Sequence, residues 1–426
     1  MDEYTQSALE FLLKGSEHVF LTGNAGTGKT TLIKNFKNQS DKNIVTLAPT
    51  GVAAINVNGE TIHSFFGFPP NVTIDRAIRA AKRSRKARLY QAIEILIIDE
   101  ISMVRADLLD CIDVFLQTVR SSRVSFGGVR VVMVGDLHQL PPVVTNEDRE
   151  AIYSLYQSPY FFSSICFQKL VSGLYKQIVF FELKNIYRQT DVDFINLLNR
   201  VRTNQLIDGD LDLLNARLLT DSEDISDHIL LTTINQTANQ INEKRLAEIT
   251  GKEHIFFAST TGEFGQKQSP VETEIKIKSG AKVMLQNNDP EGRWVNGTTG
   301  TVMQVEENLV TVKMQGGKTE IIEPFTWTAY KSEFVESKNK IETYEVGSFR
   351  QIPIRLAWAI TIHKSQGKTF DKVAIDFGWG SFAHGQTYVA LSRVTSLSGL
   401  KLLKPLSQNS IISDPQVQRF LDVLRG

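Results

Sequence analysis

Residues 20–31 read Phe20-Leu21-Thr22-Gly23-Asn24-Ala25-Gly26-Thr27-Gly28-Lys29-Thr30-Thr31, and Gly23, Gly28, Lys29 and Thr30 fit G-x-x-x-x-G-K-[ST], the pattern of a phosphate-cradling loop. The apolar run His18-Val19-Phe20-Leu21 before it predicts a buried parallel strand, and Lys29 to Phe36 predicts a helix. That context decides the reading. A glycine-rich loop grips phosphate where a strand feeds a helix N-terminus, because free N–H groups and the positive end of the helix dipole converge there. Lys29 is placed as a point charge for the β- and γ-phosphates, and the Thr30 hydroxyl as a ligand for Mg²⁺. The stretch implies a nucleoside triphosphate held by Gly23, Asn24, Ala25, Gly26, Thr27, Gly28, Lys29, Thr30 and Thr31.

Farther along the chain, Glu94-Ile95-Leu96-Ile97-Ile98-Asp99-Glu100 predicts another buried strand that ends in two carboxylates. Asp99 suits the metal, directly or through water, and Glu100 suits the base that deprotonates an attacking water. Val129 to Gly135 predicts a further strand, running into Asp136-Leu137-His138-Gln139-Leu140-Pro141-Pro142. There Gln139 is positioned to sense a γ-phosphate.

Composition narrows the class. With 426 residues the chain suggests two or three domains, and 42% apolar with 22% charged residues supplies ample core. No apolar run approaches the ~20 residues that span a bilayer, and no secretory signal opens the chain. Cys111 and Cys166 lie in apolar surroundings and predict reduced core residues. Lysines and arginines number 47, as do acids, so a passive nucleic-acid coat is disfavoured while an enzyme with a local basic groove is not. Seven cations (Arg76, Arg79, Lys82, Arg83, Arg85, Lys86 and Arg88) form one basic run, which reads equally as a solvated helix face or a nucleic-acid contact.

In chain order, Pro49-Thr50-Gly51 follows a strand at 43–48, a position suited to ligand contacts in a parallel sheet. Thr61-Ile62-His63-Ser64-Phe65-Phe66-Gly67-Phe68-Pro69-Pro70 reads as a loop whose aromatics stack on bases, with a hydrophobic plug as the alternative. Strand and helix alternation from about residue 170, including a strand at 178–183, predicts a second α/β domain. Short alternating runs with glycine-rich turns over 251–349 predict an inserted β-barrel. The division is 1–168 with a wedge loop at 63–76, then 169–250 with 350–426, and the insert at 251–349. Polar clusters at Pro49–Gly51 and His363-Lys364-Ser365-Gln366, one per domain, suit sequence-independent phosphate contacts. His63 and His363 read equally as satisfied core histidines.

Together, Gly23–Thr30, Ala48–Ala54, Thr61–Gly67, Ile97–Met103, Gly135–Pro142, Tyr187–Gln189, Thr361–Thr369 and Tyr388–Arg393 resemble a superfamily one DNA helicase of the Pif-one and RecD-like branch. The resemblance covers nearly the whole chain. It implies two RecA-like domains with ATP and Mg²⁺ between them, single-stranded DNA across the top, and an SH3-like barrel as the insert. It also implies movement five-prime to three-prime, for replication, repair, recombination or telomere-type maintenance at forks, RNA–DNA hybrids or quadruplexes. Carried over, Gln6 reads adenine, Arg188 and Arg393 reach the γ-phosphate, and Gly367 lies close to it. His63, Ser64, Phe65, Phe66, Phe68 and His138 join the expected DNA contacts. Size favours a minimal bacterial or phage form, monomeric, cytoplasmic and nucleoid-associated. A motor subunit of a nuclease complex, an RNA helicase and a non-unwinding nucleotide switch are the rival readings.

Overall fold

In the computed structural model, which describes residues 2–172, 177–189, 191–220, 223–265, 269–378 and 383–425, the phosphate-loop strand lies inside a parallel sheet. The strands are β1 (His18–Gly23), β2 (Ile44–Ala48), β3 (Glu60–Thr61), β4 (Ile95–Ile98), β5 (Arg130–Val134) and β6 (Ile178–Leu183). Their order is β3-β2-β4-β5-β1-β6, with every pairing parallel. All of β4 and β5 is buried, the continuous apolar run that a sheet covered on both faces requires. Leu9, Leu12, Leu32 and Phe36 from helices Glu3–Lys14 and Lys29–Gln39 cover one face. Leu109, Ile112, Phe115 and Leu116 of helix Ala106–Val119 cover the other. Both cysteines are free and buried in this domain, as the sequence predicts.

The chain then makes β7 (Ile229–Thr232) and leaves for the insert. Its strands are β8 (His254–Phe257), β9 (Ser259–Gly262), β10 (Glu274–Ile277), β11 (Lys282–Leu285), β12 (Thr299–Val305), β13 (Val310–Met314), β14 (Thr319–Ile322), β15 (Phe325–Val335), β16 (Lys340–Gln351) and β17 (Ile354–Leu356). They group as β14-β13-β12-β11-β17, β15-β16-β9 and β10-β8 around one shared core. The chain returns as β18 (Ala359–Thr361), β19 (Val373–Asp376) and β20 (Leu400–Leu402), giving a second parallel sheet in the order β18-β7-β19-β20. No helix among the described residues is long and apolar enough to cross a membrane.

Three boundaries differ from the sequence reading. β6 pairs with β1 from His18↔Ile178 to Gly23↔Leu183, so the first domain runs beyond residue 168 and the second begins after Leu183. An apolar strand carries no mark of which parallel sheet it joins. β17 pairs with β11, extending the insert past 349 to Leu356. Helix Pro415–Arg425 leaves the second domain and packs Val417, Phe420 and Leu421 on the first, with Phe420 stacked on Phe162 at 4.3 Å. The β15–β16 hairpin also reaches the first domain, where Ser332 N donates to Glu60 Oε1 at 2.7 Å and Ile341 N to Asn43 Oδ1 at 2.9 Å.

Candidate active site

β1 delivers the chain into the loop, and Gly28, at φ 84°, caps helix Lys29–Gln39 in a conformation that a side chain resists. Gly26 is required for a second reason: a Cβ there would stand 2.6 Å from Arg188 Cβ. Lys29 Nζ donates to Gly23 O at 2.8 Å and Asn24 O at 2.9 Å, curling back over its own loop. Burial lowers its pKa, opposed by the charges of Asp136 and Glu100. Thr27 Oγ1 donates to Asn24 O at 2.9 Å, bracing the turn. Beside the loop lies a cavity of about 540 Å³, whose walls include Thr5, Gly28, Thr31, Arg188 and Thr369. Gln6 is exposed on the first helix, next to Thr5.

The paired carboxylates stand where β4 ends. Asp99 Oδ1 accepts from Glu100 N at 3.0 Å, and Glu100 itself takes φ 50°, a left-handed turn that aims its side chain into the cleft. Burial, then the neighbouring Asp99, pushes the Glu100 carboxyl up to about 7. Burial also raises Asp99, against the Lys29 charge. Two acids desolvated beside a lysine and a phosphate loop suit Mg²⁺, which takes one or two carboxylates together with substrate phosphates. Thr30 is exposed at the start of its helix and would complete the set with Asp99.

The second domain closes over this loop through side chains. Ala25 N donates to Tyr388 Oη at 3.4 Å, and Asn24 Nδ2 to Asn199 Oδ1 at 2.7 Å. Arg188 Nη2 donates to Gly367 O at 3.2 Å, while its Nη1 is buried with no partner among the described residues. An orphaned buried cationic donor beside a phosphate loop fits an anion. Arg393 is fully buried; it donates to Val389 O at 2.7 Å, to Ser365 O and Lys368 O at 3.3 Å each, and to Ser392 Oγ at 2.7 Å. Burial, then the neighbouring Arg188, lowers it to about 9.

Sequence reading missed a polar line across the cleft. Arg202, on helix Val192–Thr203, pairs with Asp136 Oδ1 at 3.1 Å, and Asp136 Oδ2 accepts from Gln139 Nε2 at 3.1 Å. Burial alone would raise Asp136, but Arg202 and Lys29 hold it at about 2. Asp136 could have been singled out from its motif; Arg202 carries no local signal.

Several expected DNA contacts are corrected. Phe65, Phe66 and Phe68 are buried, with Phe66 edge-on to Phe115 at 5.0 Å and stacked on Phe68 at 5.2 Å, so they are a plug in the first core. His138 is buried beside His384, with neither ring nitrogen partnered among the described residues, and offers nothing to solvent. Ser365 is buried, and its hydroxyl is spent on Ile362 O at 2.7 Å. Gln366 faces the paired carboxylates, donating to Gln139 Oε1 at 3.0 Å and to Glu100 Oε2 at 3.5 Å. Thr50, Ser64, His363 and Lys364 remain exposed, with Pro49, Gly51 and His63 half-buried. All seven cations of the basic run are exposed, and Arg88 pairs with Glu336.

Comparison with known proteins matches this geometry. The family model for PIF1-like helicases matches residues 5–211, and a second helicase model matches residues 324–425. The ATP-dependent DNA helicase Pif1 of Bdellovibrio bacteriovorus is 35% identical over 434 residues, covering 99% of this chain and 91% of that protein. Human ATP-dependent DNA helicase PIF1 is 35% identical over 100% of the chain, which spans 64% of the human protein. The crystal structure of a Bacteroides Pif1 in complex with ADP-AlF4 is 37% identical at a TM-score of 0.91, covering 100% of this chain and 97% of the other. Bacteroides Pif1 bound to single-stranded DNA is 37% identical at a TM-score of 0.67, covering 99% and 96%.

Proposed function

The chain belongs to the PIF1-like helicase family, and on that premise we propose that it is an ATP-driven DNA helicase moving five-prime to three-prime along single-stranded DNA. One observation carries the coupling: Gln366 of the second domain bonds Gln139 and Glu100 of the first, so the hydrolytic centre is complete only when the cleft is closed. Closure that depends on the nucleotide and on DNA is what a motor needs.

In this reading Lys29 exchanges the carbonyls of Gly23 and Asn24 for β- and γ-phosphate oxygens. Glu100, poised near neutrality, takes the proton of the attacking water, and a positioned base of this kind is worth on the order of 10²–10⁴ in rate. Gln139 orients that water, held by Asp136. Arg188 offers its free donor to charge developing on the γ-phosphoryl group, as an arginine finger in cis. Mg²⁺, held by Thr30 and Asp99, would neutralise the β- and γ-oxygens when bound. DNA crosses both domains over Thr50, Gly51, His63, Ser64, His363 and Lys364, with the insert helping to hold it. Bacterial relatives and a DNA substrate together support a place with the nucleoid of a bacterial cytoplasm.

The test is ATP hydrolysis with and without single-stranded DNA. Stimulation of tenfold or more by DNA, abolished by Lys29→Ala, is expected. Hydrolysis indifferent to DNA would favour a nucleotide switch, and preference for RNA would move the substrate class.

A further inference from the structure

Residues 367–369 touch three parts of the molecule in succession. Gly367 O accepts from Arg188, and Thr369 lines the nucleotide cavity. Between them, Lys368 O accepts from Arg393 at 3.3 Å while the Lys368 side chain leaves in the opposite direction, into the inserted unit. There Nζ donates to Gln286 Oε1 at 2.9 Å and to Asn296 Oδ1 at 2.8 Å. The insert is shaped around this stem. Gly297, at φ 101°, lays its backbone on the lysine so closely that a Cβ would stand 3.2 Å from Lys368 Cβ. Asn296 N is pinned in turn by Asn288 Oδ1 at 2.8 Å, and Gln286 N by Pro353 O at 2.8 Å.

Among the described residues no carboxylate pairs with Lys368; its ammonium donates to two neutral amide oxygens. Burial, then the nearby Arg355, lowers its pKa to about 7. Arg355 is itself paired with Glu272 at 3.1 Å. A cation drawn half out of water and left without partners is penalised. If the 367–369 turn shifts as Arg188 and Arg393 engage or release a phosphate, the Gln286 and Asn296 loops must therefore move with it.

We propose that Lys368 is a positioning residue that yokes the inserted β-rich unit to the nucleotide cleft, so that hydrolysis is converted into a change in the insert's grip on DNA. The inference rests on the helicase reading above. It assigns Lys368 no contact with ATP or DNA. Its role is transmission.

The experiment measures base pairs unwound per ATP hydrolysed, on the full chain, for wild type, Lys368→Met, Lys368→Arg, Asn296→Ala and the double variant Lys368→Met with Asn296→Ala. Wild type establishes the helicase reading by itself; if it hydrolyses ATP without unwinding, that reading fails and not the yoke. With wild type active, Lys368→Met should keep its basal ATPase and its KM for ATP within about twofold while base pairs per ATP fall about tenfold. Asn296→Ala should reproduce part of this loss, and the double variant should be no worse than Lys368→Met, since both remove one linkage. Arginine, which keeps the charge and donors, should restore at least half of the coupling. Unchanged base pairs per ATP in Lys368→Met overturns the proposal. So does a loss of ATPase and unwinding in parallel with a lower melting temperature, which marks Lys368 as packing, as does additive loss in the double variant.

Discussion

Gln366 Nε2 lies 3.0 Å from Gln139 Oε1, a bond between side chains 227 positions apart that joins the two domains beside Glu100. From Gln139 the line continues through Asp136 to Arg202 on the second domain's helix Val192–Thr203. The two domains thus meet around Gln139 from both sides, and the geometry around Gln139 and Glu100 depends on the width of the cleft.

Gln366→Ala should therefore act on turnover. A neutral hydrogen bond nets ~0.5–1.5 kcal/mol, so DNA-stimulated kcat should fall about two- to tenfold while the Kd for single-stranded DNA is unchanged within error. Weakened DNA binding with normal kcat would return Gln366 to the DNA surface.

Arg188 and Arg393 should separate in a way that sequence alone does not anticipate. Arg188→Lys should lower DNA-stimulated turnover by on the order of 10³ with little change in melting temperature, because lysine lacks the planar fork. Arg393→Lys should lower turnover and also stability, by ~1–3 kcal/mol, because its guanidinium serves three carbonyls and a hydroxyl inside its own domain. Thermal melts beside ATPase assays check both; normal turnover in either variant removes that arginine from the catalytic set.

Phe66→Ala should destabilise the first domain by ~3–5 kcal/mol, as truncating a buried aromatic does. ATPase and unwinding should fall together at temperatures where the variant melts. Selective loss of unwinding at an unchanged melting temperature would instead make the ring a strand separator.

Acid should weaken the first domain through His18. Its Nδ1 accepts from Val131 N at 2.9 Å, and burial, then the Arg130 charge, pushes its pKa down to about 4. The folded value lies below the unfolded ~6.5, so the neutral ring's contribution is complete above pH ~6.5 and is lost as pH falls toward 4, reaching about 2 kcal/mol by pH 5. Unfolding free energy measured from pH 7 to pH 5 should fall less in His18→Asn, which keeps an acceptor and does not titrate. Parallel profiles would contradict this.

What the sequence made legible was local. The phosphate loop, the Asp99–Glu100 strand end and the parallel strands around them are written in contiguous residues, because each needs a fixed spacing to bind phosphate or fill a two-faced sheet. What it hid was set at long range. The Phe65–Pro70 run looks like an exposed loop until Phe115 and Tyr90 arrive from other elements to cover it. Gln366 follows exposed His363 and Lys364, but at φ −57° and ψ 137° it steps off their short helix and faces Glu100. β6 reads the same whichever sheet receives it, and only the His18↔Ile178 register assigns it to the first domain. Arg202 meets Asp136 from 66 positions away, with no motif to announce it.

The most direct measurement is strand separation on short DNA duplexes carrying a single-stranded overhang on either the five-prime or the three-prime side, with ATP, without it, and with Glu100→Gln. Separation of the five-prime-tailed duplex alone is expected, only with ATP, with a loss of ~10²–10⁴-fold in rate for Glu100→Gln and ATP binding retained. Separation of three-prime-tailed or blunt duplexes at equal rate, or DNA-stimulated hydrolysis with neither duplex opened, would contradict that expectation.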